Sequence, residues 1–359
     1  MGTAKITPED LAKSARRYRK ELLMQPVHAL GPILRYFTLR KGIRGDETVG
    51  ELSGNIEMGP YDENRTDEED VSINGRTLHT YFGNVIKKFS PNKVAQSIYG
   101  SDVLGGEGLV NVDIVLKVLA FLSAKIGNGF ALHLFDAVRK DNGTRTVDLF
   151  NGIDTITAAD IKAGLISVEL GNLYEFTDPI DSTNAYDMLL AFCRSANEML
   201  LGYEDGDDSK TGTQINLICS RKIIYDYRDD YKSVTGHSPI YDKFNQTIVE
   251  GFPNIRLVPA IGKVNSDFIQ LSTKKNMLIG VDQMSDDGKE NMRVEKHHPY
   301  KLDFVGEMFF GTNYESVSPE ALLVGRLKKK EAQKPPVAED NPQPEGGDDN
   351  QQPEGEEGQ

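Results

Sequence analysis

Apolar and polar positions along this chain divide it into stretches of different period. Residues 1–24 read as a charged helix. Thr7 is its cap, Pro8 opens the first turn beside Glu9 and Asp10, and Leu11, Ala15, Tyr18 and Leu22 recur at helical spacing. From Pro26 to Pro60 the periodicity fails and glycine is frequent, which predicts an extended arm with short strands. Asn74-Gly75 between β-formers predicts the turn of a long hairpin whose second arm ends at Lys87-Lys88. A hairpin with so few core-forming residues needs a neighbour to pack on.

Beyond the hairpin the period changes to that of helices. "VDIVLKVLAFLSAKI", capped by Asn111 and stopped by Gly127, is apolar around most of its circumference and predicts a helix buried against a sheet. A shorter helix, "FALHLFDAVRK", is expected to follow it. A third runs from about Thr183 to Leu201, with Ser182 as N-cap, Gly202 as stop, and an inward stripe that includes Met188, Phe192 and Met199. "TQINLIC" reads as a strand and "SRKIIYDYRDDYKSVTG" as a capped helix. From Ile255 the pattern is of strands: "IRLVPAIG", "DFIQLS", "NMLIGVD" and "YKLDFVGEMFFG". In the last of these, Leu302, Phe304, Gly306, Met308 and Phe310 form one apolar face.

Charge adds a boundary. The formal net charge of −14 is concentrated at the C-terminal end, where residues 331–359 hold nine acids and the single base Lys334, leaving only −6 for the rest. This Pro/Gln/Glu/Gly tail has almost no apolar bulk to offset its ordering entropy and is expected to be disordered. Neither the composition nor the first residues provide a secretion signal, and the longest apolar run is broken by Lys117, so a soluble, intracellular chain without a membrane span is expected. Cys193 and Cys219 form no disulfide framework and read as small buried hydrophobes.

Catalytic patterns are weak. "GGEG" at 105–108 lacks the lysine of a phosphate loop, and the acidic loop "YEDGDDSKTG" fails the spacing of a calcium hand. His28, His79, His133 and His237 are scattered singly. The pair His297-His298, with Asp303 close behind, admits a metal-dependent hydrolase. In a strand, however, the two rings point to opposite faces, and Pro299 marks a strand entry, so the structural reading is the stronger. A carbohydrate-binding module would need exposed aromatics and a secretion signal. No enzyme, metal or cofactor is expected.

The stretches "RTLHTYFGNVIKKFSPNKVAQSIYG", "GLVNVDIVLKVLAFLSAKIG", "LFNGIDTI", "INLICSRKIIYDYRDDYKS", "RLVPAIG", "MLIGVD" and "YKLDFVGEMFFGT", in that order, resemble the major capsid proteins of tailed bacteriophages, a fold shared with encapsulins. The resemblance spans about Leu22 to Arg326. It implies an α+β chain: a charged helix (1–24), an extended N-arm (25–60), an extended hairpin loop (61–105), a peripheral domain with a long spine helix and antiparallel sheet (106–150 and 255–327), an axial α/β domain (151–254) and an acidic tail (328–359). It further implies hexamers and pentamers of an icosahedral shell around double-stranded DNA, bound without sequence specificity. Assembly in the bacterial host cytoplasm, a portal and a separate scaffolding protein go with this. The same fold could instead form an encapsulin-like compartment. Asp67, Glu68, Glu69 and Asp70 on one side, and Lys87 and Lys88 on the other, are the expected complementary contacts between neighbouring subunits.

Overall fold

A computed structural model of the chain describes residues 30–53, 61, 72–89, 112–202, 214–236, 247–282, 292–298 and 301–328. The chain divides into a unit of residues 1–328 and a second of 329–359. The second unit, the N-terminal helix expected over 1–24 and the run Asp67–Asp70 lie outside the described residues.

Two sheets and a separate hairpin organise the first unit, after a single helical turn, α1 (Gly31–Leu34), with proline in its first turn. One five-stranded sheet orders β1 (Thr38–Lys41), β10 (Met277–Val281), β12 (Lys301–Tyr314) and β11 (Met292–His298), with β4 (Tyr81–Phe89) on the other side of β12. A six-stranded sheet orders β5 (Leu173–Glu175), β13 (Leu322–Arg326), β9 (Phe268–Thr273), β6 (Ile215–Cys219), β8 (Phe252–Pro259) and β7 (Ile248–Val249). The hairpin pairs β2 (Asp46–Ser53) with β3 (Ser72–His79) alone. The strands after residue 254 therefore divide between the sheets: β8, β9 and β13 join β5 and β6, while β10 to β12 join β1 and β4. Residue 254 is not where the chain changes layer.

Strand β6 is buried at every position, because both faces of its sheet are covered. Leu217, Cys219, Leu271 and Leu323 face one core with helices α4 (Ala185–Arg194) and α6 (Arg221–Thr235). Ile218, Val258 and Val324 face a second core, shared with Met308, Phe310 and Tyr314 of the other sheet. Helix α2 (Val112–His133) supplies Phe130 to that second core, stacked on Phe310 with ring centroids 4.2 Å apart.

Three sequence-based expectations change. Helix α2 does not stop at Gly127 but runs on through Gly129, absorbing the start of the shorter helix expected after it. A side chain at Gly129 would meet Thr146 at 3.3 Å, so glycine here lets the 3-10 turn at Thr146–Asp148 lie close to the helix, and tertiary packing outweighs its low helix propensity. The helix expected over Thr183–Leu201 is two, α4 and the short α5 (Glu198–Leu201), because Asn197 takes an extended conformation and accepts a bond from Met199 N–H. That break turns Met199 outward, 72% exposed, against its expected inward place. Asn74-Gly75 is not a turn either. It lies inside β3, with Gly75 opposite Gly50.

Candidate shell-contact surface

The hairpin is carried by a continuous line of chain. Strand β4 pairs antiparallel with β12 from Tyr81↔Phe310 to Phe89↔Leu302. The preceding strand continues along β12 in the same direction, for Asn313 Nδ2 donates to Thr77 O at 2.7 Å. At the crossing, an added Cβ on Gly311 would lie 2.0 Å from the carbonyl oxygen of His79, so only glycine admits this approach. Thr80, 4% exposed, fastens the hairpin base to the arm. Its N–H donates to Gly45 O at 2.7 Å, and its hydroxyl donates to that same oxygen at 2.8 Å while accepting from Gly45 N–H at 3.0 Å. Arg76 adds a partly buried tie, donating to Asp160 Oδ2 at 2.7 Å on α3 (Ile153–Lys162) and to Asn313 Oδ1 at 3.2 Å. The base is therefore held by α3, β12 and the arm, whereas among the described residues the two strands beyond it pair only with each other.

One face of the five-stranded sheet packs on α2, where Gly306 approaches Ile126 and Phe304 and Phe310 are buried. On β4 the alternate positions point away. Phe82 (53% exposed) packs tilted against Phe309 at 5.0 Å between centroids, Ile86 is 55% exposed, and Lys88 lies opposite Asp303. Lys87, the other predicted contact, is exposed opposite Phe304. Beneath β4 a groove of about 630 Å³ opens toward α2 and the loop after it, lined among others by Phe82, Lys87, Leu122, Lys125 and Arg145. Nothing in the sequence singled out Lys125 or Arg145, because they join Lys87 only through the packing of α2 under β4.

The histidine pair lies on the backbone of β11, and its side chains lie outside the described residues. Strands β11 and β12 form a hairpin, and its register shifts between Lys296 and His298, leaving His297 at an irregularity. Among the described residues no group of three His, Cys, Asp or Glu could hold a metal ion. His79 and His133 are paired with Asp46 at 2.7 Å and Asp136 at 3.1 Å. Both cysteines are buried, and burial pushes each thiol up to about 12, far from the thiolate a nucleophile needs.

One buried polar cluster was not foreseen. Lys263 is fully buried, with Nζ donating to Asp154 Oδ1 at 2.9 Å, Ser266 Oγ at 3.0 Å and Phe268 O at 2.7 Å. Asp154 also accepts from Ser266 Oγ at 2.6 Å and Gln270 Nε2 at 2.7 Å. Burial pulls the lysine below its ordinary value, opposed by the adjacent carboxylate. Its partners lie on α3, β9 and the loop between β8 and β9, so the cluster locks α3 to the six-stranded sheet. Among the described residues no helix is long and apolar enough to cross a membrane.

These elements, a long helix under one sheet, a second sheet sharing its core and a hairpin tied at its base, define an α+β fold. No family model and no curated protein matches the sequence. The structure is similar to a chain of the satellite phage P4 procapsid that includes the size determination (Sid) protein, with TM-score 0.51 and 10% identity over 83% of this chain and 96% of that one. It is likewise similar to the capsid of an empty GTA particle, with TM-score 0.51 and 11% identity over 83% and 90%. The capsid of the native GTA particle gives 0.50, 10%, 83% and 90%. The chain has the fold of phage capsid proteins.

Proposed function

We propose that this chain is the major capsid protein of a tailed bacteriophage or prophage, assembling as hexamers and pentamers of an icosahedral shell that encloses double-stranded DNA. The observation that supports this most is the hairpin β2–β3. Among the described residues it has two strands and an anchored base, and a two-stranded sheet is marginal in water unless something covers it. Copies of the same chain in a closed assembly provide that cover. The exposed Phe82 and Ile86 beside it fit the same role. In this reading the chain has no enzymatic activity, contacts the packaged DNA through its backbone phosphates without reading sequence, and is built in the host cytoplasm with a portal and a separate scaffolding protein.

Electron microscopy of the expressed protein tests the proposal. Capsomer rings or closed shells are the expected outcome. A monodisperse monomer at every concentration and salt would overturn it, and stoichiometric bound zinc would favour the hydrolase alternative instead.

A further inference from the structure

A groove distinct from the one under β4, of about 630 Å³, lies between the turn α1, the end of β8 and the first turn of α6. Its floor is apolar and buried, made by Phe37, Phe135, Ile218 and Val258. Tyr36, Pro259 and Ile261 (49% exposed) form the accessible wall. Arg35, just after α1, and Arg221, the first residue of α6, also line it, and both are exposed. Among the described residues no carboxylate lines this groove, and neither guanidinium is in an ion pair. Two more cations stand close by. Lys222 is exposed beside Arg221, and the Arg256 guanidinium lies 6.0 Å over the ring of Tyr36. In a chain of formal net charge −14, this local excess of cations marks a place for an anion.

The number and type of the cations select the anion. One guanidinium fork fills the two oxygens of a carboxylate, which carries a single charge. A phosphate monoester presents three acceptor oxygens and close to two charges at neutral pH, so it can engage two forks at once. The buried apolar floor keeps water from one side and so strengthens each charge–charge contact. The groove lies within the range of roughly 300–1,000 Å³ that takes a whole small molecule, and its wall is apolar, so the phosphate is expected on an organic body. We infer that this groove binds the phosphate of a nucleotide, either free or within a nucleic-acid strand. Arg35 and Arg221 hold the phosphate, and Tyr36, Pro259 and Ile261 face the group attached to it. Such a site goes beyond the shell reading and does not depend on it.

The test uses the full chain with two labelled probes, adenosine monophosphate and a short duplex DNA. Three variants are compared with wild type. Arg35→Ala with Arg221→Ala empties the site of its guanidinium groups. Arg35→Lys with Arg221→Lys keeps the charge and loses the forks. Lys162→Ala with Arg194→Ala removes the same charge from exposed positions on α3 and α4 that do not line the groove. Wild type is expected to bind at least one probe, displaceable by inorganic phosphate. The alanine pair should weaken that binding tenfold or more, the lysine pair less, and the control pair not at all, with the circular dichroism spectrum unchanged throughout. On the duplex, losing two phosphate contacts lowers the salt slope by about 1.8, so from ~50 to ~200 mM salt wild type should lose about tenfold more affinity than the alanine pair. Binding of the monophosphate assigns the site to free nucleotides; binding of the duplex alone assigns it to a strand.

No binding of either probe by wild type at ~50 mM salt overturns the inference, as does an equal loss in the control pair, which would show only the general field of the protein. An alanine pair that binds both probes like wild type yet forms no rings would make the groove a protein contact; the inference then fails and the shell reading stands. Arginine-dependent binding by a wild type that never forms rings has the opposite result, supporting the site while the shell reading fails.

Discussion

The buried Lys263–Asp154 pair allows an asymmetry to be worked out before any measurement. Asp154→Ala leaves a fully buried ammonium with only Ser266 Oγ and Phe268 O as partners, above the ring of Phe135 at 4.9 Å. Removing one member of a buried ion pair strands the other charge and costs ~3–5 kcal/mol. Lys263→Met strands Asp154 instead, but its side chain is 13% exposed, and it keeps the Ser266 hydroxyl and the Gln270 amide. The cost of an unmade bond at a group so supported is about 1–3 kcal/mol. The double variant, which removes both charges, should be no worse than Asp154→Ala alone, because replacing a buried pair by apolar groups is often close to neutral.

Denaturant unfolding of the dilute chain measures this, with far-UV circular dichroism as the signal since the chain has no tryptophan. Lysine carries a second handle. Burial lowers the folded-state pKa below the unfolded value of 10.5, so between the two the unfolded chain binds more protons and stability rises with pH. Without Asp154 to oppose burial, the effect deepens, and the penalty of Asp154→Ala should shrink as pH climbs toward 10.5. Equal costs for the two single variants, or a double variant as costly as their sum, would refute the asymmetry.

Further outcomes follow from the hairpin base and the cores. Gly311→Ala places a methyl 2.0 Å from a backbone oxygen and should cost about 3 kcal/mol or more, read as loss of properly folded protein on expression. Arg76→Ala leaves the carboxylate of Asp160 without its 2.7 Å partner, and hydrogen exchange should rise across Asp46–Ser53 and Ser72–His79 while β6 stays protected. Cys193 and Cys219 have folded-state values of about 12 against 9.0 unfolded, so the stability they contribute is complete below pH 9 and is lost as pH rises toward 12. Replacing both with alanine should flatten that part of the urea midpoint against pH.

What the sequence makes legible here depends on how far apart in the chain the cause and its effect lie. Ser220 and Gly236 bound α6 as expected, because a cap needs only residues three apart and a left-handed glycine needs only itself. Strand β12 shows its apolar face for the same reason: Phe304, Met308 and Phe310 are buried by an alternation visible over a short stretch of chain. The hairpin signal failed where local grammar met long-range pairing. Asn74-Gly75 can turn a chain, but β2 offers β3 eight partners and β12 offers β4 nine, so the chain stays extended through both. The groove beneath β4 is less legible still. Arg76 meets residues 84 and 237 positions away, and Lys87, Lys125 and Arg145 converge only once α2 is laid under β4, which no periodicity encodes.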